Sequence, residues 1–352
     1  MLKILVAGDA FMKSDVIKRH LVEKLSNLKE KVNVQTIEWV TREYQKSQIK
    51  GVKGKIEEFA GDPADLVKHM DGVDALVVHV APVTADVLDA SDRLKIVACT
   101  RGGAVNIDIN AATERKIPVL FTPGRNAEAV ADYTFGLLLS ETRNIARSNE
   151  ELKKGIWRYE WYDYEMCGYE LTGKTFGIIG FGQVGRKVGT RAKAFGMKIL
   201  VYDPYVPDRE IVECGYKPVK LEMLLRNSDF VSLHARLSKD TEKMIGLKEL
   251  SMMKKTAYLI NTARGKLVDE KALLQALESK LIAGAALDVI ETEPIGKGHP
   301  ILLMDNVTIT PHIGGATKDV VDRAAQMIAE DIERILNGEK PKYCANPSVL
   351  KT

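Results

Sequence analysis

Short, predominantly apolar segments alternate with amphipathic segments along the chain. Lys3–Ala7, Ala75–Val80 and Ile96–Cys99 are typical of buried parallel strands, and Val16–Leu25 has apolar residues at helical spacing. A second series of strand-like segments follows: Phe176–Ile179, Ile199–Tyr202, Phe230–Leu233, Tyr258–Ile260, Ala285–Leu287 and Val307–Ile309. Repeated alternation of strand and helix predicts α/β sheets joined by right-handed crossovers. Two such series predict two doubly wound domains with parallel sheets.

Three further segments carry predictions of their own. A long helical pattern from Asn126 to Leu152 precedes the second series, so it is a candidate crossover between the domains. The segment Asp319–Asn337 is predicted to form one amphipathic helix that ends before Gly338. Ile49–Lys55 contains two glycines and three lysines, a composition that favours a surface loop.

Length and composition limit the class of protein. A chain of 352 residues exceeds one typical core, which agrees with two domains. The 51 basic and 48 acidic side chains give a net charge of +3, so neither nucleic acid nor a membrane surface is indicated as a partner. No apolar run approaches the roughly 18 residues of a membrane-spanning helix, and the amino terminus lacks the apolar region of a secretory signal. The four cysteines form no Cys-x-x-Cys pair, which favours reduced thiols and a cytoplasmic protein. No metal site is predicted.

One glycine-rich segment indicates a nucleotide site. The residues Gly180-Phe181-Gly182-Gln183-Val184-Gly185 fit the Gly-x-Gly-x-x-Gly pattern, with a strand segment before them and a helical pattern from Gln183 to Phe195 after them. Gly180 permits the tight turn, Gly182 lets the backbone approach a pyrophosphate, and Gly185 lets the helix pack closely against the strand. The pyrophosphate then lies on the free amides at the positive end of the helix.

An acid at the end of the next strand segment indicates which dinucleotide binds. Asp203 follows the last glycine of the motif by eighteen residues and can accept hydrogen bonds from both ribose hydroxyls of the adenosine half. Its charge would repel the 2′-phosphate of NADP, and Pro204-Tyr205 follows in place of a basic cluster. The cofactor is therefore predicted to be NAD.

Three ionisable residues follow later strand segments. Arg264 lies in Ile260–Gly265, Glu293 in Asp288–Pro294 and His312 in Thr310–Gly315. In doubly wound sheets ligands bind at the carboxyl ends of the strands, so all three are predicted to lie where chemistry occurs.

These residue types suit hydride transfer to a 2-keto acid. The guanidinium of Arg264 can bind the substrate carboxylate through two hydrogen bonds. His312 can protonate the carbonyl oxygen as the hydride arrives, because the ordinary pKa of histidine is close to neutral. A neighbouring Glu293 would orient the imidazole and raise its pKa.

The remaining histidines receive different interpretations. His20, His69 and His299 are interpreted as structural. His79 and His234 follow apolar strands and are candidates for residues that line the cleft. His234 is placed near the cofactor without a role in proton transfer.

These motifs together resemble the D-isomer-specific 2-hydroxyacid dehydrogenase family, over nearly the whole chain. The family includes D-3-phosphoglycerate dehydrogenases, glyoxylate and hydroxypyruvate reductases, and D-lactate dehydrogenases. The matching segments are Thr122–Asn126, Ala129–Asp132, Gly180–Gly185, Asn261–Gly265, Asp288–Pro294 and Pro311–Gly315.

The resemblance implies the roles of the site residues. The catalytic triad falls on Arg264, Glu293 and His312. Cofactor contacts are implied at Gln183, Val184, Asp203, Thr262, Ala263, Arg264, Asp288, His312, Gly314 and Gly315. These contacts are in addition to those already predicted at the motif glycines and at His234.

The resemblance also implies the domain organisation. A flavodoxin-like substrate domain of residues 1–103 and 312–352 is interrupted by a Rossmann NAD domain of residues 104–311. Homodimers are expected, largely through the NAD domain and the helix predicted at Asn126–Leu152.

One departure from the family leaves the substrate open. The loop that normally binds the substrate carboxylate through backbone amides contains Arg101 before Gly102 and Gly103. Arg101 could bind a second polar part of a longer substrate, or pair with a local acid such as Asp108. The substrate could be 3-phosphoglycerate, or an unphosphorylated acid such as hydroxypyruvate or glyoxylate. Two other functions on this fold remain as alternatives, an NAD-sensing binding protein without activity and a formate dehydrogenase, although formate-oxidising relatives have glutamine at the position of Glu293.

Overall fold

The computed structural model describes residues 1–28, 31–40, 50–53 and 55–350. They belong to two compact units, Met1–Arg125 with Ala316–Thr352, and Asn126–Gly315. Each unit has its own parallel sheet. Among the described residues, no helix has both the length and the apolar character that crossing a bilayer requires.

The first unit is built on a five-stranded parallel sheet in the order β2-β1-β5-β6-β7. The strands of this sheet are β1 Leu2–Asp9, β2 Val32–Val40, β5 Ala75–Val78, β6 Ile96–Cys99 and β7 Val119–Leu120. A separate antiparallel pair is formed by β3 Lys50–Lys53 and β4 Ile56–Phe59. Its first helices are α1 Ser14–Leu25, α2 Pro63–Val67, α3 Ala85–Asp89 and α4 Ile109–Glu114. Strands β5 and β6 are buried at every residue, as expected of central parallel strands.

The second unit contains a seven-stranded parallel sheet in the order β10-β9-β8-β11-β12-β13-β14. Its strands are β8 Thr175–Ile179, β9 Lys198–Tyr202, β10 Lys217–Pro218, β11 Phe230–Leu233, β12 Tyr258–Asn261, β13 Gly284–Leu287 and β14 Val307–Ile309. Its helices are α5 Ala127–Thr142, α6 Ile145–Lys153, α7 Gln183–Ala194, α8 Asp208–Glu213, α9 Leu221–Asn227, α10 Leu247–Met252 and α11 Glu270–Glu278. Short 3-10 turns occur at Tyr159–Tyr162, Gly265–Leu267 and Pro300–Leu303. Apolar side chains pack on both faces of the sheet.

The chain returns to the first unit through a long helix, α12 Lys318–Leu336, and ends in a 3-10 turn at Pro347–Val349. The helix agrees with the amphipathic segment predicted at Asp319–Asn337, and Gly338 after it has a φ of 78°. Such a left-handed residue commonly ends a helix.

The unit boundaries differ from those expected from the resemblance. Residues 104–125 were assigned to the NAD domain but lie in the first unit, because β7 pairs with β6 and extends the first sheet. Residues 312–315 were assigned to the substrate domain but lie in the second unit. The amides of Ile313 and Gly314 bind the Asp288 side chain, which ties this segment to the end of β13.

Two local predictions need correction. The helix predicted at Asn126–Leu152 is two helices, α5 and α6, because Asn144 between them has a left-handed φ of 55°. Asparagine tolerates this conformation better than most residues. The loop predicted at Ile49–Lys55 contains a strand, since Lys50–Lys53 pairs with Ile56–Phe59 as β3-β4. Ile49 and Gly54 lie outside the described residues.

Candidate active site

The glycine motif forms the turn between β8 and α7. Gly180 has a φ of 93°, and a Cβ on it would lie 2.4 Å from the backbone nitrogen of Ala235. A Cβ on Gly185 would lie 2.2 Å from the carbonyl oxygen of Gly180. Turn geometry and close packing therefore account for these two glycines. A Cβ on Gly182 would meet no atom within 4 Å, so the packing of the protein leaves this space open.

Helix α7 directs hydrogen-bond donors to that open space. The helix begins at Gln183-Val184 after Gly182, which has no side chain to cap it, so its first amides have no intrahelical acceptor. At the end of β9, the Asp203 carboxylate accepts hydrogen bonds from the amides of Phe181 at 2.7 Å and Tyr205 at 2.8 Å. An ionised carboxylate has about four acceptor positions, so it can also accept from a ribose. An open glycine, free amides and this acid fit a dinucleotide.

His234 follows β11 and lies against the glycine turn. A Cβ on Gly180 would lie 2.6 Å from the carbonyl carbon of His234. The Nε2 atom of His234 is 2.8 Å from the hydroxyl of Ser232, whereas Nδ1 is buried without a hydrogen-bond partner among the described residues. Burial lowers the pKa of His234 to about 3, so the ring is neutral at neutral pH. An unpartnered nitrogen beside the glycine turn fits a contact with the cofactor, which stays a prediction.

The turn after β12 presents Arg264 to solvent. The side chain of Asn261 shapes this turn, since it donates to the carbonyl oxygen of Arg264 at 2.9 Å and accepts from the amide of Ala263 at 3.1 Å. Gly265 permits close packing against the loop after β13, because a Cβ there would lie 2.0 Å from the carbonyl oxygen of Ile290. The buried hydroxyl of Thr262 is 2.9 Å from that of another threonine on α5. The exposed guanidinium donates to the carbonyl oxygen of Ala263 at 2.8 Å and retains further donors for a ligand.

The loop after β14 brings His312 to Glu293. Nδ1 of His312 lies 2.7 Å from Oε2 of Glu293, and the two side chains are 48% and 38% exposed. The hydrogen bond that His312 donates to Glu293 raises the pKa of His312, although burial and the positive Arg264 oppose the shift. Burial acts to raise the pKa of Glu293, but the hydrogen bond and charge of His312 outweigh it and lower the pKa. The charge of Arg264 acts on both partners, so the three predicted catalytic residues lie within electrostatic reach of one another.

Asp288, at the end of β13, holds the loop that carries His312. Its carboxylate accepts from the hydroxyl of Thr310 at 2.7 Å, from the amide of Ile313 at 2.9 Å and from the amide of Gly314 at 2.7 Å. The amide of His312 donates to the carbonyl oxygen of Asp288 at 2.8 Å, and His312 has a left-handed φ of 56°. Surrounding contacts must hold such a strained conformation in a residue other than glycine.

The two glycines after His312 allow close approach. A Cβ on Gly314 would lie 2.9 Å from the Asp288 carboxylate, and one on Gly315 would lie 3.1 Å from the side-chain nitrogen of Asn126. Both glycines therefore have a packing role, and their predicted contacts with the cofactor stay predictions.

The predicted substrate residues Arg101, Gly102 and Gly103 follow β6 in the first unit. Arg101 contacts Glu58 in β4: Nη1 donates to its carbonyl oxygen at 2.8 Å, and Nη2 bonds to its carboxylate. The local acid that pairs with Arg101 is therefore Glu58. Asp108, the acid suggested from the sequence, accepts a hydrogen bond from the amide of Ala111 at 3.0 Å. A Cβ on Gly102 would meet no atom within 4 Å, and the nearest atom to one on Gly103 lies at 3.9 Å. The space above both glycines is therefore open.

Comparison with known proteins identifies the family. The glyoxylate reductase of Korarchaeum cryptofilum is 42% identical over 287 residues, which cover 81% of this chain and 86% of that protein. The family described as "D-isomer specific 2-hydroxyacid dehydrogenase, NAD binding domain" matches residues 135–314. The chain belongs to the D-isomer-specific 2-hydroxyacid dehydrogenase family. The D-3-phosphoglycerate dehydrogenase of Methanocaldococcus jannaschii is 40% identical over 83% of this chain and 56% of its own length. The crystal structure of a glyoxylate reductase from Paecilomyes thermophila matches with a TM-score of 0.74 and 29% identity, over 99% of each chain.

Membership of the family establishes the class of reaction. This 2-hydroxyacid dehydrogenase is an NAD-dependent oxidoreductase that interconverts a 2-hydroxy acid and its 2-keto acid. The predicted family, the fold of two α/β domains with a Rossmann NAD domain, and the cofactor are confirmed. The two alternative functions are not favoured, since these relatives are named as reductases or dehydrogenases of 2-hydroxy acids.

Sequence reasoning missed the residues that position the site of this dehydrogenase. Asn261 and Thr310 received no role, and Asp288 was assigned only as a cofactor contact. An asparagine at the end of a strand and before a turn is typical of a side chain that bonds to the following backbone, so Asn261 carried a signal. Thr310 carried none, because its contact with Asp288 joins residues on neighbouring strands.

Proposed function

We propose that this dehydrogenase reduces a small 2-keto acid to the D-2-hydroxy acid, with Arg264, Glu293 and His312 as its catalytic residues. The His312–Glu293 pair carries the proposal, because its hydrogen bond of 2.7 Å lies in the same unit as the NAD-binding motif. The charge of Arg264 acts on both members of the pair. A guanidinium suits the substrate carboxylate, and a carboxylate-bound imidazole suits the carbonyl oxygen.

Glu293 determines which nitrogen of His312 transfers the proton. An ionised carboxylate only accepts hydrogen bonds, so Nδ1 carries the hydrogen directed at Glu293 and Nε2 carries the transferable proton. Bound NADH supplies the hydride that reduces C2. His312 gives its Nε2 proton to the carbonyl oxygen, which becomes the hydroxyl group. The neutral ring then regains a proton from solvent, since the side chain is 48% exposed. In the oxidative direction the neutral ring takes the proton from the hydroxyl.

The substrate is a small 2-keto acid of the glyoxylate or hydroxypyruvate kind. Relatives named glyoxylate reductase support this class, with 42% identity for the one from Korarchaeum cryptofilum. In the first unit, the open space above Gly102 and Gly103 suits backbone amides that bind a substrate oxygen. Arg101 supports this segment through Glu58.

NADH is the preferred form of the cofactor in this proposal. The amides that begin α7 would hold the pyrophosphate, and Asp203 would bind the adenosine ribose. Contacts from Thr262, Ala263, Asp288, Gly314 and Gly315 complete the site.

The enzyme is proposed to be a cytoplasmic homodimer. Large aromatic side chains follow α6 and are exposed, with Trp157 at 67%, Tyr159 at 75%, Tyr162 at 87% and Tyr164 at 90%. Exposed apolar patches of this kind mark interaction surfaces, and a second copy of the chain is the occupant that we expect. The four cysteines are free, which suits a reducing compartment. Light scattering of the purified protein tests the dimer, and cell fractionation tests the location.

Assays of NADH oxidation with glyoxylate, hydroxypyruvate and pyruvate test the reaction. His312→Gln should lower kcat about 10²- to 10⁴-fold, because the acid is removed. Its binding of NADH, measured by fluorescence, should stay unchanged. His299→Gln is the matched control, since His299 also pairs with a carboxylate, Glu270, at 2.9 Å in the same unit. Full activity of His312→Gln would refute the assigned acid, and a wild type inactive on all three keto acids would refute the proposed function.

A further inference from the structure

The carboxyl edge of the first sheet carries a cluster of polar side chains. Asp9 ends β1, His79 follows β5, and Arg125 lies beyond β7. The ring of Phe11 connects two of them. Its centroid lies 5.9 Å from that of His79, and the guanidinium carbon of Arg125 lies 5.9 Å from the same ring. We call Asp9, Phe11, His79 and Arg125 the Arg125 cluster.

Asp9 fixes the tautomer of His79. Its Oδ1 accepts from the amides of Phe11 at 2.9 Å and Met12 at 2.8 Å, while Oδ2 lies 2.5 Å from Nδ1 of His79. Burial acts to raise the pKa of Asp9, but hydrogen bonds from His79 and from the amides of Met12 and Phe11 lower the pKa of this carboxyl below its usual value. An ionised carboxylate only accepts, so Nδ1 carries the hydrogen.

His79 therefore presents a hydrogen-bond acceptor. Burial lowers the pKa of His79 against the opposing hydrogen bond of Asp9, so the ring is neutral at neutral pH. With the hydrogen on Nδ1, the Nε2 atom has a free lone pair. Nε2 has no hydrogen-bond partner among the described residues.

Arg125 presents donors for which the described residues offer no acceptor. Within residues 1–28, 31–40, 50–53 and 55–350, no acceptor is hydrogen-bonded to its guanidinium, and Nη1 is fully buried. Burial lowers the pKa of Arg125 to about 10, which leaves the group charged at neutral pH. A buried charged donor without an acceptor costs folding free energy. Arg101 of the same unit, by contrast, is paired with Glu58.

The glycine segment lies between these groups in the sheet order. Gly102 and Gly103 follow β6, which pairs with β5 on one side and with β7 on the other. The strand before His79 and the strand before Arg125 therefore flank the strand that leads to the proposed substrate segment. The charges of Arg125 and of Arg101, the residue before the two glycines, both act on His79, so these groups lie within electrostatic reach of one another.

We infer that the Arg125 cluster determines specificity for the group on C3 of the substrate and selects a hydroxyl there. The inference rests on the proposed function, because it takes a 2-keto acid to bind at Gly102–Gly103. A C3 hydroxyl accepts from the Arg125 guanidinium and donates to Nε2 of His79, so it satisfies both groups at once.

Other groups on C3 satisfy fewer of these atoms. A methyl group, as in pyruvate, pairs with neither, and glyoxylate has no C3. A dianionic phosphate ester accepts from Arg125, but it has no hydrogen to give and would direct its oxygens at the lone pair of His79. The cluster therefore favours a 3-hydroxy-2-keto acid without phosphate.

Steady-state kinetics with NADH test this selection on hydroxypyruvate, pyruvate, glyoxylate and 3-phosphohydroxypyruvate. The wild type should have its highest kcat/KM on hydroxypyruvate. Arg125→Met removes the charge and keeps the length, so it should lower kcat/KM for hydroxypyruvate about 10- to 100-fold and change that for glyoxylate less than about threefold. Arg115→Met is the matched control, since Arg115 belongs to the same unit and pairs with Asp89 at 2.6 Å. It should change neither value.

Activity on glyoxylate separates this inference from the proposed function. Equal losses on all keto acids in Arg125→Met, or no loss, would overturn the inference and leave the proposed function standing. A wild type that prefers the phosphorylated acid would overturn the selection of a free hydroxyl. A wild type that reduces none of the four refutes the proposed function, and the inference falls with it. If Arg125→Met does not fold, as judged by circular dichroism, Arg125→Gln is measured against the same criterion.

Discussion

Replacing Glu293 by glutamine asks whether this carboxylate controls the protonation of His312. The change keeps the size of the side chain but removes its charge from a contact of 2.7 Å. The hydrogen bond to Glu293 is the largest cause of the raised pKa of His312, and the Glu293 charge adds to it. We therefore expect the pKa of His312 to fall in the variant. Reduction needs the protonated ring, so as the pH is raised its rate should begin to fall at a lower pH than in the wild type. Oxidation needs the neutral ring, so as the pH is raised its rate should begin to increase at a lower pH than in the wild type.

The loss in the rate of reduction caused by Glu293→Gln depends on the pH. Where His312 is protonated in both proteins, their rates of reduction should agree within about threefold. Between the two pKa values the protonated fraction in the variant falls about tenfold per pH unit. The loss in rate cannot exceed the loss caused by removing the imidazole itself, which is about 10²- to 10⁴-fold.

Folding stability should change little in this variant, because the side chains are 48% and 38% exposed and solvent screens the pair. The pKa of His312 is raised in the folded protein, so its contribution is present at low pH and is lost as the pH rises through that value. The pKa of Glu293 is lowered, so its contribution is present at higher pH and is lost as the pH falls through that value. The pair therefore stabilises the fold between these two limits.

The assay records kcat/KM against pH in both directions for the wild type and Glu293→Gln. Glu291→Gln is the matched control, because Glu291 lies in the same loop and contacts Lys243 at 3.5 Å. Its profile should coincide with that of the wild type. An unchanged profile in Glu293→Gln would show that the carboxylate does not control the protonation of His312, and the assignment of the acid-base pair would be wrong.

Two further variants test the cofactor site and the fold. Asp203→Asn should narrow the preference for NADH over NADPH, because the neutral side chain no longer repels a 2′-phosphate. Equal use of both cofactors by the wild type, in steady-state kinetics, would contradict the role of Asp203. Thr308→Val removes the hydroxyl that donates to the buried Glu141 carboxylate at 2.6 Å, so it should lower the free energy of unfolding by about 1–3 kcal/mol in a denaturant titration with activity retained. Unchanged stability would mean that water replaces the hydroxyl.

Much of the fold could be predicted because central parallel strands have a strong pattern. Ile96–Cys99, Phe230–Leu233 and Val307–Ile309 are strands with the predicted bounds. The strand Val32–Val40 was missed because it lies at the edge of its sheet and alternates polar with apolar residues. The break at Asn144 was missed as well, because helical periodicity does not reveal a left-handed residue between two helices.

Within the site, the placement of residues could be predicted where position in the chain determines position in space. Arg264 and His312 come directly after parallel strands, and such strands end at a common edge. The groups that hold them act across strands, as when Asp288 binds the hydroxyl of Thr310 and the amide of Ile313. These contacts depend on the register between β13 and β14, which a single sequence does not reveal.

The two arginines at the edge of the first sheet show what a motif alone does not reveal, namely whether a side chain is already paired in the folded protein. Arg101 lies in the glycine segment and is predicted either to bind a second polar part of the substrate or to pair with a local acid. Its guanidinium is paired with Glu58, 43 positions earlier in the sequence. Arg125 lies in the family segment Thr122–Asn126, and its guanidinium has no hydrogen-bond acceptor within the part of the chain that the structure describes. A cation already neutralised by a carboxylate gains less from a substrate oxygen than one that is buried and unpaired. We therefore expect the arginine with the unpaired guanidinium to select the substrate. Which of the two arginines is unpaired is determined by the fold and not by the motif.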